Sequence, residues 1–191
     1  GYTENTIKKF KIFWNPKEEC LMIPAIYRDG SVPNIKRKWT NGEAKNIKGS
    51  KASLFNSKAI NDDGLLIICE GEPDCMLLNQ YGYSAITNTA GAATFKKEWA
   101  KIIASSGRDV ILTYDNDAQG ISGAKKAGKL LSELGVHVKN VTIPKDFNNK
   151  KVKDVTDYFL AGGSKVKLDK LIAQSSTLNP VINATSGGYN W

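Results

Sequence analysis

The stretch Ile111-Leu112-Thr113-Tyr114-Asp115-Asn116-Asp117-Ala118-Gln119-Gly120 has an upstream counterpart, Leu65-Leu66-Ile67-Ile68-Cys69-Glu70-Gly71-Glu72-Pro73-Asp74. In each, a short apolar run stops abruptly at carboxylates, with a glycine close by. A run of that length reads as a buried strand. In open α/β sheets, ligands sit just beyond the carboxyl ends of the strands. Two neighbouring parallel strands would therefore deliver Glu70, Asp74, Asp115 and Asp117 to one place. Four carboxylates so placed repel one another unless a divalent cation joins them. Hard oxygen donors suit Mg²⁺ or Mn²⁺.

Working outward, the chain alternates regularly. The pattern predicts a strand over 65–69, a helix over 73–81 closed by Gly82, and a strand over 83–87. Thr94 is placed to cap a helix over 95–104, whose Phe95, Trp99, Ile102 and Ile103 share one face. A strand over 109–114, a helix over 119–134 stopping at Gly135, and a strand over 138–143 ended by Pro144 follow. Short helices over 154–161 and 166–174 complete the unit. Strand–helix alternation with short links argues for an α/β fold, a parallel sheet flanked by helices.

Residues 1–60 read as a small basic α+β subdomain. Leu21 to Tyr27 forms a strand, Asp29-Gly30 a hairpin turn, and Val32 to Trp39 the return strand, with Pro33 pointing to an edge. Gly42 to Lys51 reads as a polar loop. Asn61-Asp62-Asp63-Gly64 marks the boundary to a catalytic domain over 61–174. The Ser/Asn/Gly-rich stretch 175–191 reads as a tail or linker, which suggests a piece of a longer protein.

At 191 residues, 41% hydrophobic and 24% charged, the composition is that of an ordinary globular protein. No apolar run approaches the ~18 residues of a membrane span. No signal peptide is recognisable, so a cytoplasmic location in a bacterial or phage-infected cell is expected. Cys20, Cys69 and Cys75 lack metal-ligand spacing and read as reduced thiols. The lone His137, between Val136 and Val138, reads as structural. The net charge of +8 is uneven: residues 1–60 carry 12 Lys/Arg against 5 Asp/Glu, the remainder 15 against 14. A basic module beside a carboxylate cluster fits a polyanion held next to a metal site, although a solvated lysine face gives the same composition.

The carboxylates have specific chemistry open to them. Glu70 ends its strand, and Asp74 follows four residues on, in a helical turn that Pro73 favours. Alternate residues of an extended segment point the same way, so Asp115 and Asp117 can hold one ion or two neighbouring ions. Gly71 and Gly120 let the backbone turn sharply. Two ions ~4 Å apart stabilise attacking and leaving oxygens in phosphoryl displacement. A glutamate there can take the proton from an attacking hydroxyl. Asp74 and Asp117 taken singly read equally well as helix caps, and Glu72 as a favourable first-turn acid.

These motifs resemble the Toprim pattern of DnaG-type primases, type IA and II topoisomerases, OLD-family nucleases and recombination mediators. That pattern is a glutamate after the first strand and Asp-x-Asp after the third. The Glu-Gly-Glu-x-Asp form is most similar to primases and primase-helicases of phages and mobile elements, including the Twinkle type. Thr87 to Trp99 resembles the loop after their second strand, and places Gly91 among nucleotide- or template-binding residues. Leu21 to Pro24, Asn34 to Lys38 and Gly49 to Phe55 resemble the basic subdomain of the primase RNA-polymerase core. The resemblance spans roughly residues 20–174.

It implies DNA primase activity on single-stranded DNA, with nucleoside triphosphates, Mg²⁺ or Mn²⁺ and a replicative helicase as partners. Glu70, Asp115 and Asp117 would be catalytic. Glu70, Asp74, Asp115, Asp117 and Asp154 would surround the metal, Asp154 through the match of Lys153 to Phe159 with a later primase segment; Asp157 would be structural. Lys36, Arg37 and Lys51 would bind template or nucleotide phosphates. The family's usual zinc-binding and helicase regions are not recognisable in this stretch. Three rivals compete. A Toprim nuclease or topoisomerase lacks here its tyrosine-bearing domain and matches the basic segment less well. A haloacid dehalogenase-like phosphatase leaves Glu70 unexplained. A non-catalytic DNA-binding module leaves the intact carboxylate set unexplained.

Overall fold

The computed structural model describes residues 1–178. In chain order the elements are α1 (Glu4–Phe10), β1 (Phe13–Asn15), β2 (Cys20–Ala25), β3 (Asn34–Trp39), β4 (Ala44–Asn46), β5 (Leu54–Phe55), β6 (Leu66–Cys69), α2 (Glu72–Gln80), β7 (Ser84–Asn88), α3 (Lys97–Ala104), β8 (Val110–Thr113), α4 (Ala118–Ser132), β9 (Val138–Asn140), β10 (Asp146–Phe147), β11 (Lys150–Lys151), α5 (Val155–Leu160), α6 (Lys165–Gln174) and β12 (Ser176–Thr177). The main sheet runs β12-β9-β8-β6-β7-β5. Its four central strands are parallel, and β5 and β12 close its edges antiparallel.

All four residues of β6 and all four of β8 are buried, as expected of strands covered on both faces. Alternation divides them. Ile67, Cys69 and Ile111 pack with Cys75, Met76 and Leu78 of α2 and with Val155 and Tyr158 of α5. Leu66, Ile68, Val110 and Leu112 pack with Trp99 and Ile103 of α3 and with Ala124, Ala127 and Leu131 of α4. A one-residue shift in either strand would exchange the two sets. The sheet is thus a two-sided sandwich whose central strands, β6 and β8, are adjacent and aligned, with Cys69 opposite Thr113. The next residues beyond both strand ends are those on which the site is built.

Before this sheet lies a four-stranded antiparallel meander, β1-β2-β3-β4. The Asp29-Gly30 turn joins β2 to β3 as expected, the Tyr27 amide donating to the Ser31 carbonyl over 2.9 Å. Pro33 does not mark an edge: it precedes β3, which is paired on both sides because part of the expected loop forms β4. Leu54 and Phe55 pair with Asn88 and Thr87, so this segment lies on the larger sheet. Thr94 does not cap α3. It ends a short 3₁₀ turn over Ala92–Thr94, its hydroxyl donating to the Ala90 carbonyl, and α3 begins at Lys97. Ser176 and Thr177, within the expected linker, add a short edge strand against β9; the rest of that stretch, 179–191, lies outside the described residues.

Candidate metal centre

Three carboxylates converge just past the ends of β6 and β8. One oxygen each from Asp74, Asp115 and Asp154 lies within 4.8 Å of the others. Asp115 lies two residues past the end of β8 and is 8% exposed; Asp74, in the first turn of α2, is 5% exposed. Asp154 is the N-cap of α5, accepting from the Asp157 amide over 2.7 Å. Asp74 accepts from both the amide (2.9 Å) and the hydroxyl (2.6 Å) of Thr156. The packing of α5 on α2 therefore brings Asp154 to Asp74.

Glu70 and Asp117 flank this trio. The Glu70 carboxylate accepts from the Asp115 amide over 3.3 Å, and its own carbonyl accepts from the Thr87 hydroxyl over 2.8 Å. Asp117 caps α4, accepting from the Gly120 amide over 2.8 Å. Lys153 spans the Asp-x-Asp pair, with its Nζ 2.7 Å from Asp115 and 3.3 Å from Asp117. Between the two aspartates, Asn116 turns inward. Its Nδ2 donates to the carbonyls of Ile143 (3.1 Å) and Val152 (2.9 Å), fastening the β8–α4 turn to two neighbouring loops.

Gly120 makes this turn possible. A Cβ at that position would overlap the Asp115 carbonyl, so the start of α4 can lie on the aspartate's backbone only without a side chain. Gly123 one turn later meets Ala92 in the same way, although both glycines lower the intrinsic stability of α4.

The electrostatics follow from burial and crowding. Burial first, then the Asp154 charge, raises the Asp74 carboxyl to about 7, against the opposing hydrogen bonds from Thr156. Burial and then the Asp115 charge raise Glu70. Burial raises Asp154, opposed by the capping amide of Asp157. Asp117 goes the other way, lowered by the Gly120 amide and then by Lys153. Lys153 is raised, chiefly by its hydrogen bond to Asp115. Nearby, the Tyr2 hydroxyl donates to the Pro73 carbonyl over 3.2 Å; burial and the Asp74 and Asp154 charges hold its phenol above the ordinary range, hence neutral. An all-oxygen donor set in which burial and crowding raise Asp74, Asp154 and the adjacent Glu70 is one that a hard divalent cation relieves, so the residues fit Mg²⁺ or Mn²⁺.

Residues 67–159 match the Toprim-like family model. That span runs from inside β6 to the end of α5 and contains every carboxylate named above. It is a Toprim-like domain. The chain is also similar to a DNA primase of Clostridium acetobutylicum, 31% identical over 112 residues, 57% of this chain and 19% of the relative. The chain thus spans about a fifth of that curated relative's length. Among solved structures it resembles the zinc-binding and RNA polymerase domains of the Aquifex aeolicus primase, with a TM-score of 0.76 at 19% identity over 93% of this chain and 54% of the other. It also resembles the primase fragment of the bacteriophage T7 primase-helicase, with a TM-score of 0.69 at 17% identity over 90% of this chain and 70% of the other. At those identities the likeness establishes a fold: a parallel-containing sheet flanked by helices, preceded by a small antiparallel one.

The structure brings the residues expected from the sequence together unevenly. Asp74, Asp115 and Asp154 meet directly, and Glu70 and Asp117 stand beside them. Lys36 reaches the Toprim-like domain, but its ammonium lies 2.6 and 2.7 Å from the two oxygens of Glu72, which is 2% exposed. Glu72, expected as a favourable first-turn acid, is therefore also the joint between the two sheets. Arg37 pairs with Glu18 at 2.7 Å and lies over the Trp39 ring. Lys51 is exposed and in no ion pair among the described residues. Gly91 sits at φ +82° ahead of the 3₁₀ turn that seats Ala92 against α4.

Three residues of the centre were not singled out by sequence reasoning: Lys153, Asn116 and Thr156. Asn116 had a readable signal, an amide between two aspartates at the end of a buried strand, where an inward side chain must find partners. Thr156 had none, because its partner Asp74 is 82 residues away.

Proposed function

We propose that this chain is the catalytic core of a DNA primase, joining nucleotides on a single-stranded DNA template in the cytoplasm of a bacterial or phage-infected cell. The observation that carries the reading is the gathering of Asp74, Asp115 and Asp154 at the tips of β6 and β8, with Glu70 against the Asp115 amide. Asp74, Asp115 and Asp154 would hold Mg²⁺ or Mn²⁺. Such an ion, when bound, neutralises the charge that develops on a transferring phosphoryl group. Glu70, half-buried and with its proton affinity raised, is suited to accept the proton of an attacking 3′-hydroxyl. Thr156 and Asn116 hold the carboxylates so that little reorganisation accompanies the reaction. The basic residues of the preceding sheet and its following loop would contact template and triphosphate phosphates. A replicative helicase, as a further domain or separate protein, would supply the template.

The test is incubation with single-stranded template, labelled nucleoside triphosphates and Mg²⁺ or Mn²⁺, comparing the protein with Asp115→Ala. Short labelled oligonucleotides from the first and none from the second are expected. Template cutting without extension would assign the site to a Toprim nuclease. Tight template binding unchanged by the substitution, with no chemistry, would make the chain a binding module.

A further inference from the structure

The Asp-x-Asp pair is already bridged by a cation, and that cation belongs to the chain. Lys153 Nζ lies 2.7 Å from Asp115 and 3.3 Å from Asp117, and Asp115 also belongs to the trio with Asp74 and Asp154. Most surface lysines near a carboxylate wander, and such pairs contribute little. Lys153 differs because its backbone is clamped. Its carbonyl accepts from the Asn116 amide over 3.0 Å, and its amide donates to the Asp157 carboxylate over 3.0 Å. Asn116 lies between the two aspartates that the ammonium bridges, so the same peptide places the lysine and its targets. Lys153 is exposed, as Lys150 and Lys151 of the β10–β11 hairpin are, and differs from Lys151 in meeting two carboxylates where Lys151 meets Asp146 alone.

From this geometry we propose that Lys153 is a tethered counter-ion that occupies the outer cation position of the Asp115–Asp117 pair until the triphosphate of an incoming nucleotide draws it away. The inference rests on the metal-dependent reading above and concerns how its site is loaded. The centre then has two unequal cation positions. The inner one, among Asp74, Asp115 and Asp154, meets the ammonium only through Asp115 and would take a divalent ion without nucleotide. The outer one would accept a divalent ion weakly in the free protein, because the ion must displace a lysine and bind beside its charge. A triphosphate offers the ammonium an alternative anionic partner, so nucleotide and outer ion would bind cooperatively, each raising the affinity for the other.

The probe is Mn²⁺ alone, followed by electron paramagnetic resonance and calorimetry. The wild-type chain should show one stronger and one weaker class of ion. Lys153→Met should tighten the weaker class about tenfold, and Lys153→Arg should leave it near wild type. A non-hydrolysable nucleoside triphosphate should tighten the weaker class in the wild type and have less effect in Lys153→Met. As a readout that needs no variant, acetylation of the Lys153 amine, followed by mass spectrometry, should be slow in the metal-free protein and faster at saturating Mn²⁺ without nucleotide, where the displaced ammonium has no triphosphate to receive it. Equal Mn²⁺ binding by the wild type and folded Lys153→Met, or an amine equally reactive in both conditions, would overturn the role given to Lys153 and leave the metal centre standing. No Mn²⁺ bound by any of the proteins would overturn both.

Discussion

The two sheets of this molecule put charge to different uses. In the antiparallel meander, β3 carries Lys36, Arg37 and Lys38 in succession, so charged side chains leave both faces of a partly exposed strand. In the main sheet, β6 and β8 carry no charge along their lengths, and the carboxylates wait until the chain has passed their ends. The difference follows from burial. A parallel strand covered on both faces cannot hold an unpaired charge, so its chemistry is confined to its tips. Adjacent, aligned strands then bring those tips together without any long-range adjustment. The meander sets its cations along a strand, with Lys36 and Arg37 already paired to Glu72 and Glu18; the main sheet focuses negative charge at a point, which suits a cation.

If the focus is what matters, Asp115→Ala should have the largest consequence. It removes the residue shared by the inner trio and the Asp-x-Asp pair, and nucleotide incorporation should fall at least about a thousandfold. Circular dichroism should remain that of the wild type, because the side chain lies beyond the last sheet residue. Retention of incorporation would move the reaction away from the strand tips. Gly120→Ala probes the same point through the backbone. The added methyl must displace either the start of α4 or the Asp115 carbonyl, costing about 2–3 kcal/mol by denaturant titration. A normal midpoint for Gly120→Ala would mean that α4 is not seated on that turn.

The focused region was also the more legible one. A buried apolar run that stops at carboxylates, with a glycine close by, can be read locally, twice, and the alternation of strands and helices supplies their adjacency. The meander hides its logic. Ala44-Lys45-Asn46 has no apolar pattern and becomes a strand only because β3 offers it a partner. Lys36 reads as one more surface cation until Glu72, 36 residues on, is found beneath it. The cap expected on α3 differs for a related reason: Gly91 allows a 3₁₀ turn that uses Thr94 before the helix begins. Local chemistry announces itself in sequence, whereas partners supplied from a distant segment do not.

Lys36 also sharpens the contrast, because its charge is spent on joining the sheets. Lys36→Met strands a buried carboxylate, and should cost about 2 kcal/mol, less than a fully buried pair would because the lysine keeps some solvent contact. Lys36→Met with Glu72→Met should recover most of that loss; additive losses would mean that the two side chains do not act as a pair.

The focused carboxylates should make metal-free stability depend on pH. Asp74 rises from 3.8 to about 7 on folding, so the stability it contributes is complete below about pH 4 and is lost as pH rises through about 7. Burial raises Glu70 and Asp154 in the same direction. Thermal melts without metal should therefore show a lower midpoint at about pH 8 than at about pH 5, once other titrations are subtracted using Asp74→Asn. Millimolar Mg²⁺ should raise the midpoint more at the higher pH, where no proton competes. An equal Mg²⁺ effect at both values would mean that the ion does not bind these carboxylates.

The smallest effect is expected at Lys51, and it bears on the spread side of the contrast. The side chain is exposed and pairs with no carboxylate among the described residues, so Lys51→Ala should leave the melting midpoint where it was. If the basic segment lies along a nucleic-acid backbone, loss of one phosphate contact should lower the slope of log affinity against log salt by about 0.7 for single-stranded DNA. Weakening should be similar for templates of different sequence, because a phosphate contact positions the strand without reading it. Fluorescence anisotropy over a salt series measures both quantities. An unchanged slope would return Lys51 to the solvated face of the molecule, and the spread of charge along the meander would then say nothing about where a template runs.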